Sequence, residues 1–215
     1  MATPTATRTL GDVMTFIKRQ FGDESGVQIT DLDITRWTNQ AQNEIVNKNP
    51  MIQATAEGVS IQGTQTIDLN TIAPNLLQLE AVIYDGWPLE PTSLERLKAD
   101  IGGPDASTQG TPQYFYVWAN KIYVWPVPSV SGKAIQVNYS SHPVSVTGAA
   151  DFLGVPDRYY DRVCEYVMSK AYELDEDWQG HQVARQAFED KLTENNNADK
   201  NQIGSFPVAF DSEYE

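Results

Sequence analysis

The passage from Pro112 to Pro128 constrains the fold more than any other part of the chain. Tyr114 to Trp118 and Lys121 to Trp125 are two runs of aromatic and β-branched residues around Ala119-Asn120. Such residues fit a pleated, half-buried surface, and a two-residue link between two such runs reads as an antiparallel hairpin. With a period of two, Tyr114, Tyr116 and Trp118 share one face, and Phe115 and Val117 the other. A chain committed to this hairpin is not all-helical, and its remaining segments must supply strands for it to pair with or helices to cover it.

The rest of the middle region is β-like. Val59 to Leu69 alternates around Gly63 and predicts a hairpin. Leu76 to Tyr84 is an apolar run whose Ala81-Val82-Ile83-Tyr84 end favours a strand, with Asp85-Gly86 as a turn before Trp87-Pro88-Leu89. Thr92-Ser93-Leu94-Glu95 has the spacing of a capping box, so a short helix is expected to run to Ile101 and stop at Gly102-Gly103-Pro104. Ile135 to Tyr139 reads as a further strand, ended by Ser140-Ser141-His142-Pro143.

Helical patterns flank this region. Thr9 is an N-cap candidate, followed by Leu10, Val13, Met14, Ile17 and Phe21 at helical spacing and by Gly22 as a stop. Thr30, with Asp33 three residues on, opens a second helix with the stripe Ile34, Trp37, Ala41 and Ile45, ended at Asn49-Pro50. Pro156 suits a first helical turn, and Tyr160, Val163, Cys164, Val167, Met168, Ala171 and Leu174 form a long stripe after it. Gly180 punctuates, Val183, Ala184, Ala187, Phe188 and Leu192 continue, and the chain turns polar at Asn195-Asn196-Asn197. Two helices alone bury too little surface, so the terminal pairs are expected to need each other. The fold class is therefore α+β: a helical bundle from residues 1–50 and 151–197, a β-rich insertion over 51–150, and an extended tail over 198–215.

Charge and cysteine content narrow the function. The chain has 215 residues, a formal net charge of -14 and a single cysteine, Cys164. An acidic protein is poorly suited to gripping DNA phosphates or an anionic membrane. One cysteine permits no intrachain disulfide. The opening residues carry no apolar signal core, and no apolar run approaches the roughly 20 residues of a membrane span.

Reactive chemistry finds little support. Cys164 sits on an apolar helical stripe, where a buried structural thiol is expected rather than a thiolate. No Gly-x-Ser-x-Gly elbow, phosphate loop or dinucleotide fingerprint occurs. His142 and His181 are the only histidines and lie in no metal-ligand spacing. Glu173, Asp175, Glu176 and Asp177 form an acidic knot, but Gln186 stands where a calcium loop would need its bidentate glutamate. No catalytic residue, metal or cofactor is expected. The aromatic candidates are Trp87, Trp118 and Trp125, which suit cross-strand packing, protein contacts or stacking on a sugar. In the polar tail, Phe206 and Phe210 flank Pro207-Val208-Ala209 and offer anchors for a segment that orders on binding or adds along another subunit.

The arrangement resembles the head-to-tail connector, or adaptor, proteins of short-tailed and related tailed bacteriophages. The resemblance rests on three features: the N-terminal helix pair with Thr35-Arg36-Trp37-Thr38-Asn39-Gln40 inside it, the tyrosine-rich strand–turn–strand–proline passage of Pro112 to Pro128, and Val155-Pro156-Asp157-Arg158-Tyr159-Tyr160 entering a long helix. It covers roughly residues 9–195. It implies a homo-oligomeric ring of twelve subunits in the virion, made in the host cytoplasm, between the portal protein and a tail nozzle or tail tube protein. DNA would pass through without specific binding, and no membrane is involved. By position, the resemblance makes the C-terminal tail the portal-binding segment, with Phe206, Pro207, Phe210 and Tyr214 as contacts, and Trp87, Trp118 and Trp125 as tail-facing or subunit contacts. The alternatives are a peptidoglycan-degrading tail accessory enzyme and a carbohydrate-binding module.

Overall fold

The computed structural model describes residues 6–101 and 108–203. In chain order the elements begin with α1 (Leu10–Phe21), α2 (Asp31–Lys48), β1 (Gln53–Val59), β2 (Thr66–Asp68), α3 (Leu69–Ile72) and β3 (Leu76–Tyr84). There follow β4 (Trp87–Pro88), β5 (Glu90–Pro91), α4 (Leu94–Ile101), β6 (Gln109–Gly110), β7 (Tyr114–Trp118), β8 (Lys121–Trp125), β9 (Val127–Pro128) and β10 (Ala134–Ser141). A 3-10 turn, Asp157–Tyr159, leads into α5 (Tyr160–Leu174), and α6 (Trp178–Ile203) closes the order. The chain is thus α+β. It divides into two compact units: one draws on Met1–Asn49 and Pro143–Glu215, the other on Pro50–His142.

In the first unit, local rules set the helix ends. The Thr9 hydroxyl accepts from the Asp12 N–H while the Asp12 carboxylate accepts from the Thr9 N–H, a reciprocal capping box. Gly22, at φ 67°, takes the left-handed turn that ends α1, a conformation costly for a residue with a Cβ. Thr30 caps α2 by accepting from the Asp33 N–H. The α1–α2 loop is built on Asp23, whose carboxylate accepts from the N–H groups of Val27, Gln28 and Ile29. Those bonds, that of Ile29 foremost, hold its pKa down to about 2.

The apolar stripes then meet. Leu10, Val13 and Ile17 of α1, Ile34, Ala41, Ile45 and Val46 of α2, and Val163, Val167 and Ala171 of α5 are all but fully buried, and α5 packs against α1, α2 and α6. Each of these Val, Leu and Ile side chains contributes about 1.5–3 kcal/mol relative to exposure, and each alanine methyl less. Phe188 and Leu192 bring α6 in, with Phe188 edge-on to Tyr166 at 5.3 Å between ring centroids. Two polar side chains of α2 hold distant backbone, while the buried Thr38 hydroxyl finds no partner among the described residues. The Asn39 side chain both donates to and accepts from the backbone of Val146, at 2.9 Å each, and the Gln42 carbonyl accepts from the Gly154 N–H.

Three sequence expectations are corrected in this unit. Gly180 does not separate two helices: it lies in the first turn of α6, where its N–H donates to the Asp177 carboxylate that caps the helix. The helix also continues through Asn195-Asn196-Asn197 to Ile203, so residues 198–203 are helical rather than extended. Neighbouring helical hydrogen bonds outweigh the modest helix propensity of asparagine. Leu174 and Val183, assigned to the buried stripes, are exposed.

The second unit holds two four-stranded sheets, in the orders β1-β10-β3-β4 and β2-β8-β7-β5, with β6 and β9 paired separately. One core cluster joins them: Ala56, Val82, Tyr84, Ile135, Val137 and Tyr139 from the first, and Phe115, Ile122 and Val124 from the second, closed by Leu69, Ala73 and Leu89. The β7–β8 hairpin has the expected register, Tyr116 opposite Tyr123 and Trp118 opposite Lys121. Its turn holds Ala119 and Asn120 at positive φ, 49° and 57°. The β3–β4 turn does the same with Asp85 and Gly86. These primed turns match the twist of the strands they join.

The expected hairpin over Val59 to Leu69 does not form. β1 pairs with β10 and β2 with β8, so the two runs enter different sheets. Of that run only Val59 and Thr66 to Asp68 are strand, and their partners are set by long-range burial rather than by local alternation. The cap of α4 is also shifted by one residue, since it is the Ser93 hydroxyl that accepts from the Arg96 N–H. The Gly102-Gly103-Pro104 stop lies outside the described residues.

Candidate interaction surfaces

The aromatic hairpin places its candidates in distinct settings. Tyr116 and Tyr123 stack across the strands at 4.9 Å with ring planes 7° apart, and burial together with the neighbouring phenol raises the pKa of Tyr116. Trp125 is half-buried against Tyr114, at 6.2 Å between centroids, and its indole N–H is buried without a partner among the described residues. Trp118, beside the turn, is 67% exposed. Trp87, at the β3–β4 turn, is 77% exposed. Trp125 thus belongs to cross-strand packing, while Trp87 and Trp118 offer their faces to solvent from two separate turns. An exposed tryptophan offers an apolar ring face and a donating N–H to its surroundings.

The helical unit contributes a groove of about 600 Å³ with Tyr160, Cys164 and Met168 of α5 among the residues lining it, flanked by Phe16 of α1 and Val183 of α6. Cys164 sits there as a buried thiol, and desolvation pushes its pKa up to about 12. A group held protonated in this way is a weak nucleophile. Several charges around the groove are committed to partners. Glu165 pairs with Arg162 and Lys191. Arg185 pairs with Glu44 and Glu189 and lies over the Tyr166 and Phe188 rings.

The acidic knot has structural uses. Glu173 pairs with Lys170 at 2.7 Å, which with burial working against it lowers its pKa. Asp175 accepts from the Gln28 side chain, and Asp177 caps α6. His181 shares a hydrogen bond between Nδ1 and the Ser169 carbonyl oxygen. Among the described residues no group of three or more His, Cys, Asp or Glu side chains gathers as metal ligands would. Among them, too, no helix is long and apolar enough to cross a membrane. Phe206, Pro207, Phe210 and Tyr214 lie outside the described residues.

Two surfaces were missed in the sequence. The groove required the crossing of α1, α5 and α6, which no local pattern encodes. β1 is a strand whose core-facing residues are only Ala54, Ala56 and Gly58, too small to register as a hydrophobic alternation. The signal that could have found it is the regular spacing of those small residues opposite Gln53, Thr55 and Glu57.

What these surfaces can do is stack, pair and bury, which is the equipment of an interaction protein. Residues 8–208 match the family model described as SU10 adaptor protein, and the chain belongs to that family of phage head–tail adaptors. Its role is that of a structural component of the virion that contacts other head and tail proteins. No curated protein matches the chain.

Proposed function

We propose that this adaptor forms a closed homo-oligomeric ring of twelve copies, docks beneath the portal, and lines the conduit through which DNA passes toward the tail. The observation that carries the reading is the family match over residues 8–208, which takes in both units of the fold. The net charge of -14 supports it, because an acidic lumen repels phosphates and lets DNA slide without specific contacts. Under this reading the terminal helices form a bundle with the β-rich unit inserted in it, and the bundle makes the ring wall. The β-rich unit faces a tail nozzle or tail tube protein, with Trp87 and Trp118 as tail-facing or subunit contacts. Trp125 supports the hairpin that presents Trp118.

The C-terminal segment is the portal-binding arm, with Phe206, Pro207, Phe210 and Tyr214 as its contacts. Apolar anchors in an otherwise polar segment suit capture by a preformed groove. The test is to remove residues 204–215 and measure co-sedimentation with purified portal rings. The truncated protein is expected to keep its circular dichroism and unfolding midpoint while losing portal docking. Undiminished docking would remove the arm from this role.

A further inference from the structure

The sheet edges of the β-rich unit are unequal. β4 and β5 are two residues long and carry Pro88 and Pro91, and β2 is three residues long. Short length and proline are the usual means of keeping a sheet edge from pairing with another chain. β1, the remaining edge, is seven residues long and has no proline.

Its free side can be assigned. The Ser60 N–H donates to the Lys133 carbonyl and the Ser141 N–H to the Ile52 carbonyl, both at 2.8 Å, one at each end of the β1–β10 ladder. Hydrogen-bonded pairs alternate along an antiparallel ladder. Ala54, Ala56 and Gly58 therefore bond to β10, and Gln53, Thr55, Glu57 and Val59 direct their N–H and C=O groups away from it. Among the described residues no backbone group meets them. On the core-facing side the same edge is under-filled. A Cβ built on Gly58 would meet nothing within 4 Å. Beside Gly58 opens an apolar cleft of about 160 Å³ lined by Ile61, Ile67, Ile72, Val124 and Ile135.

We propose that residues 205–210 of a neighbouring copy add to β1 as a parallel strand while that copy's arm is not engaged by the portal. The inference rests on the adaptor reading and adds a seat for the arm. In an extended segment Phe206, Val208 and Phe210 fall on one face. Pro207 has no N–H and decides the direction. With the phenylalanines toward the core, antiparallel addition would turn the Pro207 backbone to β1, whereas parallel addition turns it away and presents the bonding groups of Phe206, Val208 and Phe210. One register then sets these three large residues beside the three small ones, Ala54, Ala56 and Gly58, with Phe210 at the cleft. Pro207 comes to lie on the new outer edge and blunts it. The contact joins unlike surfaces, the heterologous kind that closes into rings and leaves no copy unpaired.

The test is amide hydrogen exchange of the full chain, read at single-residue resolution by mass spectrometry across a concentration series. The Gln53, Thr55, Glu57 and Val59 amides are expected to exchange about tenfold or more slowly at high concentration than at low. The double variant F206S/F210S should lose that dependence. So should Thr55→Pro, which removes an outward N–H and leaves the ladder to β10 intact. Exchange at these amides that is equally fast at every concentration in the unmodified chain overturns the proposal. Protection that persists at dilutions where light scattering shows a monomer also overturns it, since the strand would then come from the same molecule. Portal co-sedimentation of Thr55→Pro separates the two readings. Retained docking with protection lost supports both. Docking lost in F206S/F210S, with the β1 amides unprotected in the unmodified chain, leaves the portal arm standing and sinks the seat on β1.

Discussion

The two units are finished in different ways. In the helical unit, N-caps at Thr9, Thr30 and Asp177 and the left-handed Gly22 satisfy helix ends, and the half-buried Asn39 and the buried Gln42 hold backbone groups of distant segments. In the β-rich unit, three edges are shortened or blocked by proline while β1 keeps a row of outward backbone groups and a core face of small residues. Helices satisfy their backbone internally and need only side-chain burial from their surroundings. A sheet passes unsatisfied groups to its edge, so the edge is where another chain can contribute. The comparison places self-sufficiency in the helices and incompleteness at one strand.

Measurements of stability can break or sharpen that contrast. The largest effect is expected from Phe188→Ala, which empties a fully buried site between α5 and α6 and should cost about 3–5 kcal/mol in denaturant unfolding. Val59→Ala at the exposed end of β1 should cost within about 0.5 kcal/mol in the same assay. A large loss there would mean β1 is already covered. Thr9→Ala removes one half of the α1 capping box and should lower stability by about 1 kcal/mol.

Acid titration gives the next effect. Asp23 has its pKa lowered to about 2 in the folded chain by three backbone N–H donors, against an ordinary 3.8. Its contribution is therefore complete above about pH 4 and disappears as pH falls from there through about 2. Asp151 and Asp157 are lowered for the same reason, by backbone and hydroxyl donors, and add to the same limb. Asp23→Asn should flatten the acid limb of the stability profile between pH 4 and 2, and an unchanged slope would contradict the loop's construction on that carboxylate. The smallest effect concerns Cys164. With its thiol raised to about 12 by burial, alkylation at pH 8 should be negligible in the folded chain and rapid after unfolding. Fast labelling of the native protein would show the groove opening.

Much of this was legible locally. Thr9, Gly22 and Thr30 marked helix ends because caps act through the nearest few residues, and Ala119-Asn120 marked the hairpin because its two strands are adjacent in sequence. Pairing at a distance was not legible: β1 finds β10 across some seventy intervening positions, and nothing in Val59 to Leu69 excluded a hairpin. The length of α6 was missed because Gly180 and three asparagines read as breakers, although Asp177 supplies a cap for the first and continuing helical bonds outweigh the second. Trp87 and Trp118 were found as candidates by composition alone, but only their turns, each holding residues at positive φ, explain why they face outward while Trp125 does not.

The most direct test of the adaptor assignment is the mass of the purified protein by light scattering, alone and mixed with portal rings. The account predicts assembly into a species of twelve copies, formed on the portal or already present without it. A protein that stays a 24.0 kDa monomer in the presence of portal rings would contradict it.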